Sequence, residues 1–274
     1  MKQLIIDAEA ASEIANSRKT HIDYDRLYYQ SNEMLPELFN NFSVKDKDVL
    51  TVLASSDQLF HTYINGAKNV DTFDINKLTY YYYYLRKWAI VYYDEYYPPV
   101  EDLIFSHRFF MNMIKKYPKL PEEDLTAYYF WREYCNNTWG FQNSELFYLS
   151  LLRDENKIQN LDLLKEIIKK RKLSFIHMDI SKPTSISKKY DVIILSNILE
   201  YLSFMDISFD DLQNNLNKLL KDDGVIICSH IMHRSAFEQS RMKSFIYKEF
   251  PSITRKSIIK NFEYPVGYSY MKKK

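Results

Sequence analysis

The sequence predicts a doubly wound α/β fold, a Rossmann-like parallel sheet with a large helical insertion after its second strand. Short uninterrupted runs rich in Val, Ile and Leu recur at Val49–Leu53, Val70–Phe73, Leu173–Met178, Asp191–Leu195 and Val225–His230, as in strands buried on both faces. Between the first two runs lie a turn of small residues and a helix-length segment, the β-α-β order of a nucleotide-binding half-domain. The second run ends at Asp74, where an acidic side chain of such a domain grips a ribose.

The elements follow in order. Leu4, Ile5, Ala8, Ala11, Ile14 and Ala15 recur at mixed helical spacing and predict a helix over residues 2–17, with a second amphipathic segment at Met34–Phe42. The polar turn Ser43–Lys47 introduces the first strand, and Gly66 closes the helix after it. The regular alternation then breaks over residues 77–172, far more chain than one helix and its turns require. Lys77–Tyr93, Pro99–Lys116, Pro121–Asn136, Glu145–Leu152 and Leu161–Lys172 all read as helices, an accessory lid or subdomain.

Beyond the third strand, Asp179 opens a polar loop to the fourth. Helix Phe209–Leu220 carries Asp210 and Asp211 in its first turn, which suits the helix dipole. The turn Lys221–Gly224 leads into the fifth strand, helix Ser235–Phe250 follows, and Ile253–Lys260 and Tyr268–Lys272 are the last strands. The expected division is a covering segment 1–47, a sheet domain of 48–76 with 173–274, and the insertion 77–172.

A chain of 274 residues, 46% hydrophobic, can bury one sizeable core with an appended subdomain. Its formal net charge of +1 sets up no field toward polyanions, so no nucleic-acid partner is predicted. Cys135 and Cys228 lack metal-ligand spacing and point to a reduced, cytoplasmic protein with no metal site. Acidic residues at Asp7, Glu9 and Glu13 interrupt any signal-peptide core, and no apolar run approaches the roughly 18 residues of a membrane span. No stable membrane insertion is expected.

The turn after the first strand, Ala54-Ser55-Ser56-Asp57, selects the ligand. Pyrophosphate-binding loops need glycine so that backbone N–H groups can close on phosphate. This turn has none, and the chain holds only four glycines, Gly66, Gly140, Gly224 and Gly267. S-adenosylmethionine (SAM) has a ribose and an adenine but no phosphate, so it is the expected cofactor. Asp57 is either a ligand to its methionyl ammonium or the N-cap of the following helix. Asn76 either assists Asp74 or begins the next helix, and Asp179 either meets the adenine amino group or is a loop residue.

Ser196, Asn197, Glu200 and Tyr201 follow the fourth strand on the edge where such sheets bind ligands; a capping turn is the plainer reading. His230 and His233 lie just past the fifth strand, where a general base is chemically open, although structural histidines are preferred. Cys228 reads as inert core. The run Tyr80–Tyr84, continued by Trp88, Tyr92 and Tyr93, covers every face of its helix, which suits packing between core and lid before a substrate pocket.

In this order the residues resemble the class I SAM-dependent methyltransferases. That resemblance implies that Ala54–Asp57 wrap the amino-acid end of SAM, that Asp74 binds the ribose and Asp179 approaches the adenine. Ser196, Asn197, Glu200 and Tyr201 then line the reaction centre, and the last two strands form a reversed pair. The missing glycines depart from the family pattern. The long insertion, the serine-rich loop, Asp74-Ile75-Asn76 and the Phe130-Trp131 pair are also similar to the 3-amino-3-carboxypropyl transferases of betaine-lipid synthesis. In that family an amino-terminal segment reaches the cofactor, which implies Tyr28–Glu33 here, with Ser31 and Asn32 beside Ile75 and Asn76 among the cofactor residues.

The sequence therefore predicts a SAM-dependent methyltransferase acting on a small, apolar or aromatic acceptor. Asn197, Glu200, Tyr201 and His230 are the catalytic candidates. The alternatives are aminocarboxypropyl transfer and a non-catalytic adenosine-binding protein.

Overall fold

The computed structural model describes residues 2–17, 23–31, 33–98, 120–137, 146–148, 156–182, 186–198, 209–231, 254–258 and 266–272. Contacts divide the chain into two compact units. One is helical (Met1–Ser31, Leu53–Asp57 and Ile75–Lys172), and the other is built on the sheet (Asn32–Val52, Gln58–Asp74 and Leu173–Lys274). This grouping differs from the division expected from the sequence in three places, one of them Ile75–Asn76, which fall in the helical unit. Residues 33–47 join the sheet unit, and the loop Leu53–Asp57 joins the helical one.

The sheet unit holds α2 (Leu35–Asn41), β2 (Asp48–Val52), most of α3 (Asp57–Ile64), β3 (Asn69–Asp74), β5 (Phe175–His177), β6 (Tyr190–Ser196), α7 (Phe209–Leu219), β7 (Leu220–Ile231), β8 (Thr254–Ile258) and β9 (Val266–Lys272). The strand order is β5-β3-β2-β6-β7-β9-β8. The first five strands are parallel, while β9 runs antiparallel to both β7 and β8. The reversed edge pair expected from the resemblance is present, as is the doubly wound α/β architecture. Val49, Leu50, Val192, Ile193, Ile194, Ile226 and Ile227 are buried along the central strands, and each such side chain contributes about 1.5–3 kcal/mol on burial.

Glycine ends α3 as expected. Gly66 sits at φ 80°, a left-handed closing residue that side chains with a Cβ disfavour. The turn expected at Lys221–Gly224 is instead an irregularity inside β7: Leu220 pairs with Tyr190 and Val225 with Val192, so the intervening residues bulge. Gly224 is required there, because a Cβ would lie 2.8 Å from the Leu220 side chain and 2.9 Å from the Lys221 carbonyl oxygen. The expected helix Ser235–Phe250 lies outside the described residues.

The helical unit holds α1 (Lys2–Ser17), β1 (Leu27–Tyr28), α4 (Leu78–Tyr93), α5 (Glu122–Asn137), β4 (Phe147–Tyr148) and α6 (Leu161–Lys170). One expectation is corrected. Within the segment Glu145–Leu152, read as helix, Phe147–Tyr148 form a short strand paired in parallel with Leu27–Tyr28. A tertiary partner overrides local helical spacing there. The expected helix at Pro99–Lys116 lies outside the described residues. Helix α4 buries Tyr81, Tyr82, Tyr83, Tyr84 and Trp88; Tyr81 stacks on Phe130 at 3.7 Å between centroids. Among the described residues, no helix is long and apolar enough to cross a membrane.

Candidate functional site

The parallel strands of the sheet unit bring Asp74, at the end of β3, and Ser196, at the end of β6, to one edge. The strand order reverses between β2 and β6, which is where ligands of such sheets bind. Asp74 is buried, and its backbone carbonyl accepts a 3.0 Å hydrogen bond from Met178 N–H. Asp179 closes its own turn. Its Oδ1 accepts from Ser181 N and Oγ at 3.0 and 2.6 Å, and its Oδ2 lies 3.3 Å from Lys182 Nζ. Partial burial alone raises this carboxyl's pKa, but the Ser181 and Lys182 contacts outweigh it and leave the group below the ordinary range.

Ser196 occupies a left-handed conformation, φ 55°, of the kind that concentrates at functional sites. Its hydroxyl donates to the fully buried carboxylate of Glu33 and accepts from Gln58 Nε2 at 3.3 Å. Asn197 Oδ1 lies 3.3 Å from the same hydroxyl. Cys228, opposite Ser196 in the β6–β7 register, is buried as expected; burial first and the Glu33 carboxylate second push its thiol pKa up, so it stays protonated and inert. His230 lies in β7. Glu200, Tyr201 and His233 fall outside the described residues.

The remaining candidates belong to the helical unit. Leu53 to Ser56 form a tight turn, with Ser56 N–H donating to the Leu53 carbonyl at 2.6 Å. Ala54 and Ser56 are both left-handed, at φ 40° and 73°. Asp57 has both carboxylate oxygens engaged. Oδ1 accepts from Arg86 Nη2 at 2.9 Å, and Oδ2 accepts from Ser31 N–H at 2.6 Å and Ser55 Oγ at 2.8 Å. The Ser31 carbonyl in turn accepts from Asn156 Nδ2 at 3.0 Å, and Asn32 is outside the described residues. Asn76 works as a staple: Oδ1 accepts from Leu78 N–H and Asp25 N–H, and Nδ2 donates to the Asp25 carbonyl at 2.9 Å. Ile75 is 37% exposed.

Two features bear on whether SAM fits. The Ser56 hydroxyl is buried and, among the described residues, has no hydrogen-bond partner; such a group is costly to leave unsatisfied and suits a ligand that supplies one. Asp74 supplies an acidic group at the β3 end. Each, taken by itself, is compatible with a phosphate-free nucleoside.

Sequence reasoning missed Glu33, Gln58 and Arg86 as individual residues. A signal existed for Arg86. A helix apolar on every face leaves Arg86 and Lys87 no solvent side, so both need buried partners, and both have them in Asp57 and Asp124. Glu33 lay inside the segment Tyr28–Glu33 implied by the resemblance, but nothing local pointed to its contact with Ser196, which spans 163 positions.

No protein-family model matches the chain, and no curated protein matches it. Solved structures with a similar course include a ribosomal protein L11 methylase from Lactobacillus delbrueckii subsp. bulgaricus (12% identity, TM-score 0.40, covering 92% of this chain and 86% of that one). The N-methyltransferase NodS from Bradyrhizobium japonicum, bound to S-adenosyl-L-homocysteine, matches at 9% identity and TM-score 0.41, over 88% and 83% of the two chains. A TehB-like SAM-dependent methyltransferase from Corynebacterium glutamicum matches at 8% identity and TM-score 0.38, over 89% and 90%. Likeness at this level carries no functional information; the fold is defined by the sheet itself.

Proposed function

We propose that this protein is a SAM-dependent transferase, and specifically a methyltransferase acting on a small, apolar or aromatic molecule. The observation that carries the reading is the sheet, with five parallel strands, a reversed edge pair, and Asp74 ending β3 beside the point where the strand order turns. SAM supplies an already activated sulfonium, so the chain's own task is alignment and, where the acceptor needs it, removal of a proton.

In this reading Asp74 receives the ribose hydroxyls, Ile75 offers apolar surface to the adenine, and the Asp179 turn borders the adenine edge. Ser56 supplies the free hydroxyl of the Ala54–Asp57 loop. Ser196 and Asn197, backed by Glu33, face the reacting end; Glu200, Tyr201 and His230 complete the catalytic candidates. Asp57 and Asn76 support the site through side-chain atoms engaged within the protein, and Ser31 holds Asp57 through its backbone N–H.

Calorimetric titration with SAM tests this, beside an Asp74→Ala variant and with NAD as control. Saturable SAM binding, weakened at least about tenfold by Asp74→Ala, is the expected result, since a buried carboxylate hydrogen bond is worth about 1.5–3 kcal/mol. Mass spectrometry of the nucleoside product then separates methyl transfer, which releases S-adenosylhomocysteine, from aminocarboxypropyl transfer, which releases methylthioadenosine. Absence of SAM binding by folded protein overturns the catalytic reading and leaves a non-catalytic adenosine-binding protein.

A further inference from the structure

We infer that Arg86 is the positioning residue of the loop after β2, holding in place a left-handed turn that has no glycine. Its functional consequence rests on the SAM reading above; its geometry does not. Residues with a Cβ disfavour positive φ, yet Ala54 and Ser56 adopt it at 40° and 73°. Such conformations persist only where surrounding contacts over-determine them. Arg86 supplies those contacts.

Its Nη1 donates at 2.8 Å to the carbonyl of Ser55, the residue between the two left-handed ones, and its Nη2 donates at 2.9 Å to Asp57 Oδ1. The third side of the guanidinium is fixed as well. Nε donates to the Tyr96 carbonyl at 3.1 Å, and the rings of Tyr97 and Tyr96 lie 4.3 and 4.9 Å from Arg86 Cζ. Arg86 and Asp57 are both completely buried. Burial opposes the guanidinium charge, but the Asp57 carboxylate outweighs it and raises the Arg86 pKa above its ordinary value, so the guanidinium stays charged. A planar three-sided fork performs this task and an ammonium does not. Arg86 thus replaces, from a helix 29 positions away, the conformational freedom that glycine gives a loop locally, and it commits Asp57 to the loop, leaving Ser56 to face a ligand.

The test compares four full-length proteins: the natural chain, Arg86→Lys, the neutral pair Arg86→Met with Asp57→Asn, and that pair with Ala54→Gly and Ser56→Gly added. The neutral pair strands no buried charge. Two readouts are taken, hydrogen exchange of the ligand-free peptide over residues 53–60 and calorimetric SAM affinity. We expect loop exchange to accelerate and affinity to fall by about tenfold or more in Arg86→Lys and in the neutral pair, with the two glycines recovering most of the affinity. Unchanged loop exchange in a folded neutral pair overturns the inference, as does an affinity loss that glycine does not relieve.

If the natural chain does not bind SAM, the cofactor reading falls alone and loop exchange still decides the role of Arg86. A neutral pair that folds only with the glycines present supports it directly. One that fails to fold even with them overturns it, because Arg86 then serves only the core of the helical unit.

Discussion

The two units are stabilised by different physics. The sheet unit is filled by aliphatic side chains from neighbouring parallel strands, among them Val49, Leu50, Val192, Ile193, Ile194 and Ile227. The helical unit is tied by buried polar side chains acting across long stretches of chain. Lys87 Nζ and Trp88 Nε1 share the carboxylate of Asp124 at 2.7 and 2.8 Å, and Asp7 accepts from the Tyr24 and Tyr81 hydroxyls at 2.6 and 2.5 Å. Aliphatic packing degrades gradually when one methyl is lost. Buried charge does not, because removing one partner strands the other.

Asp124→Ala tests that difference most severely. It removes the acceptor that Lys87 and Trp88 share, while Glu123 stays 3.9 Å from Lys87 Nζ, and a loss of about 3–5 kcal/mol from the helical unit is expected. The described tryptophans, Trp88 and Trp131, belong to that unit, so the shift of the urea midpoint in tryptophan emission reads it. Adding Lys87→Met should recover part of the loss. A cost below about 1 kcal/mol would mean that the network is no stronger than a surface ion pair, and the contrast would collapse.

The same division explains what was legible in the sequence. Val49–Leu53 and Asp191–Leu195 announce strands through composition alone, and the acid at Asp74 and the glycine at Gly66 mark strand and helix ends. The helical unit offered tyrosines and a period but no partners, since Trp131 meets the Tyr81 carbonyl and Arg86 meets Asp57 at separations of 50 and 29 positions. Pairing at such distances is set by topology, which one sequence does not state. Phe147–Tyr148 was misread for the same reason, as its strand exists only through Leu27–Tyr28. Asp57, Asn76 and Asp179 were legible as polar residues at strand and helix ends, but whether each side chain faces a ligand or the backbone depends on neighbours such as Arg86, Asp25 and Ser181.

The two units should also respond differently to pH. The carboxylates that acid destabilises lie in the sheet unit, whereas most of the tyrosines that alkali destabilises lie in the helical unit, with Tyr190 of the sheet unit raised by burial as well. In the helical unit, burial raises the pKa of Tyr24, Tyr80, Tyr81, Tyr82, Tyr84, Tyr96 and Tyr97. A raised folded pKa gives stability that is complete below the unfolded value of about 10 and is lost as pH climbs beyond it. In the sheet unit the Lys221 hydrogen bond holds Asp48 low. Contacts from Lys188 and Lys221 overcome burial to lower Asp71 and Asp191. A lowered folded pKa gives stability that is present above about pH 4 and is lost as pH falls further. Asp25 in the helical unit is raised by burial, so it adds no such acid lability. We expect tyrosinate absorbance to appear together with loss of tryptophan emission on the alkaline side. On the acid side, labelling of the buried Cys228 thiol in a Cys135→Ser background, by a pyridyl disulfide that reacts in acid, should precede any change in tryptophan emission. Simultaneous failure of both probes at both ends would show one cooperative unit.

The smallest effect is the one that most sharpens the contrast. Ile193 is fully buried in β6, and Ile193→Val removes one methylene without stranding a polar group, so a cost of about 0.5–1.5 kcal/mol is expected. It should appear as faster Cys228 labelling in urea, because Ile193 and Cys228 belong to the same pair of strands, with the tryptophan midpoint unmoved. A loss as large as that of Asp124→Ala would mean that the sheet interior has no room to relax, and the gradual response attributed to aliphatic packing would be wrong for this protein. A small loss that moves only the thiol probe would place the tolerance to substitution in the unit that carries Asp74 and Ser196, leaving intolerance to the unit whose buried Arg86 fixes the loop.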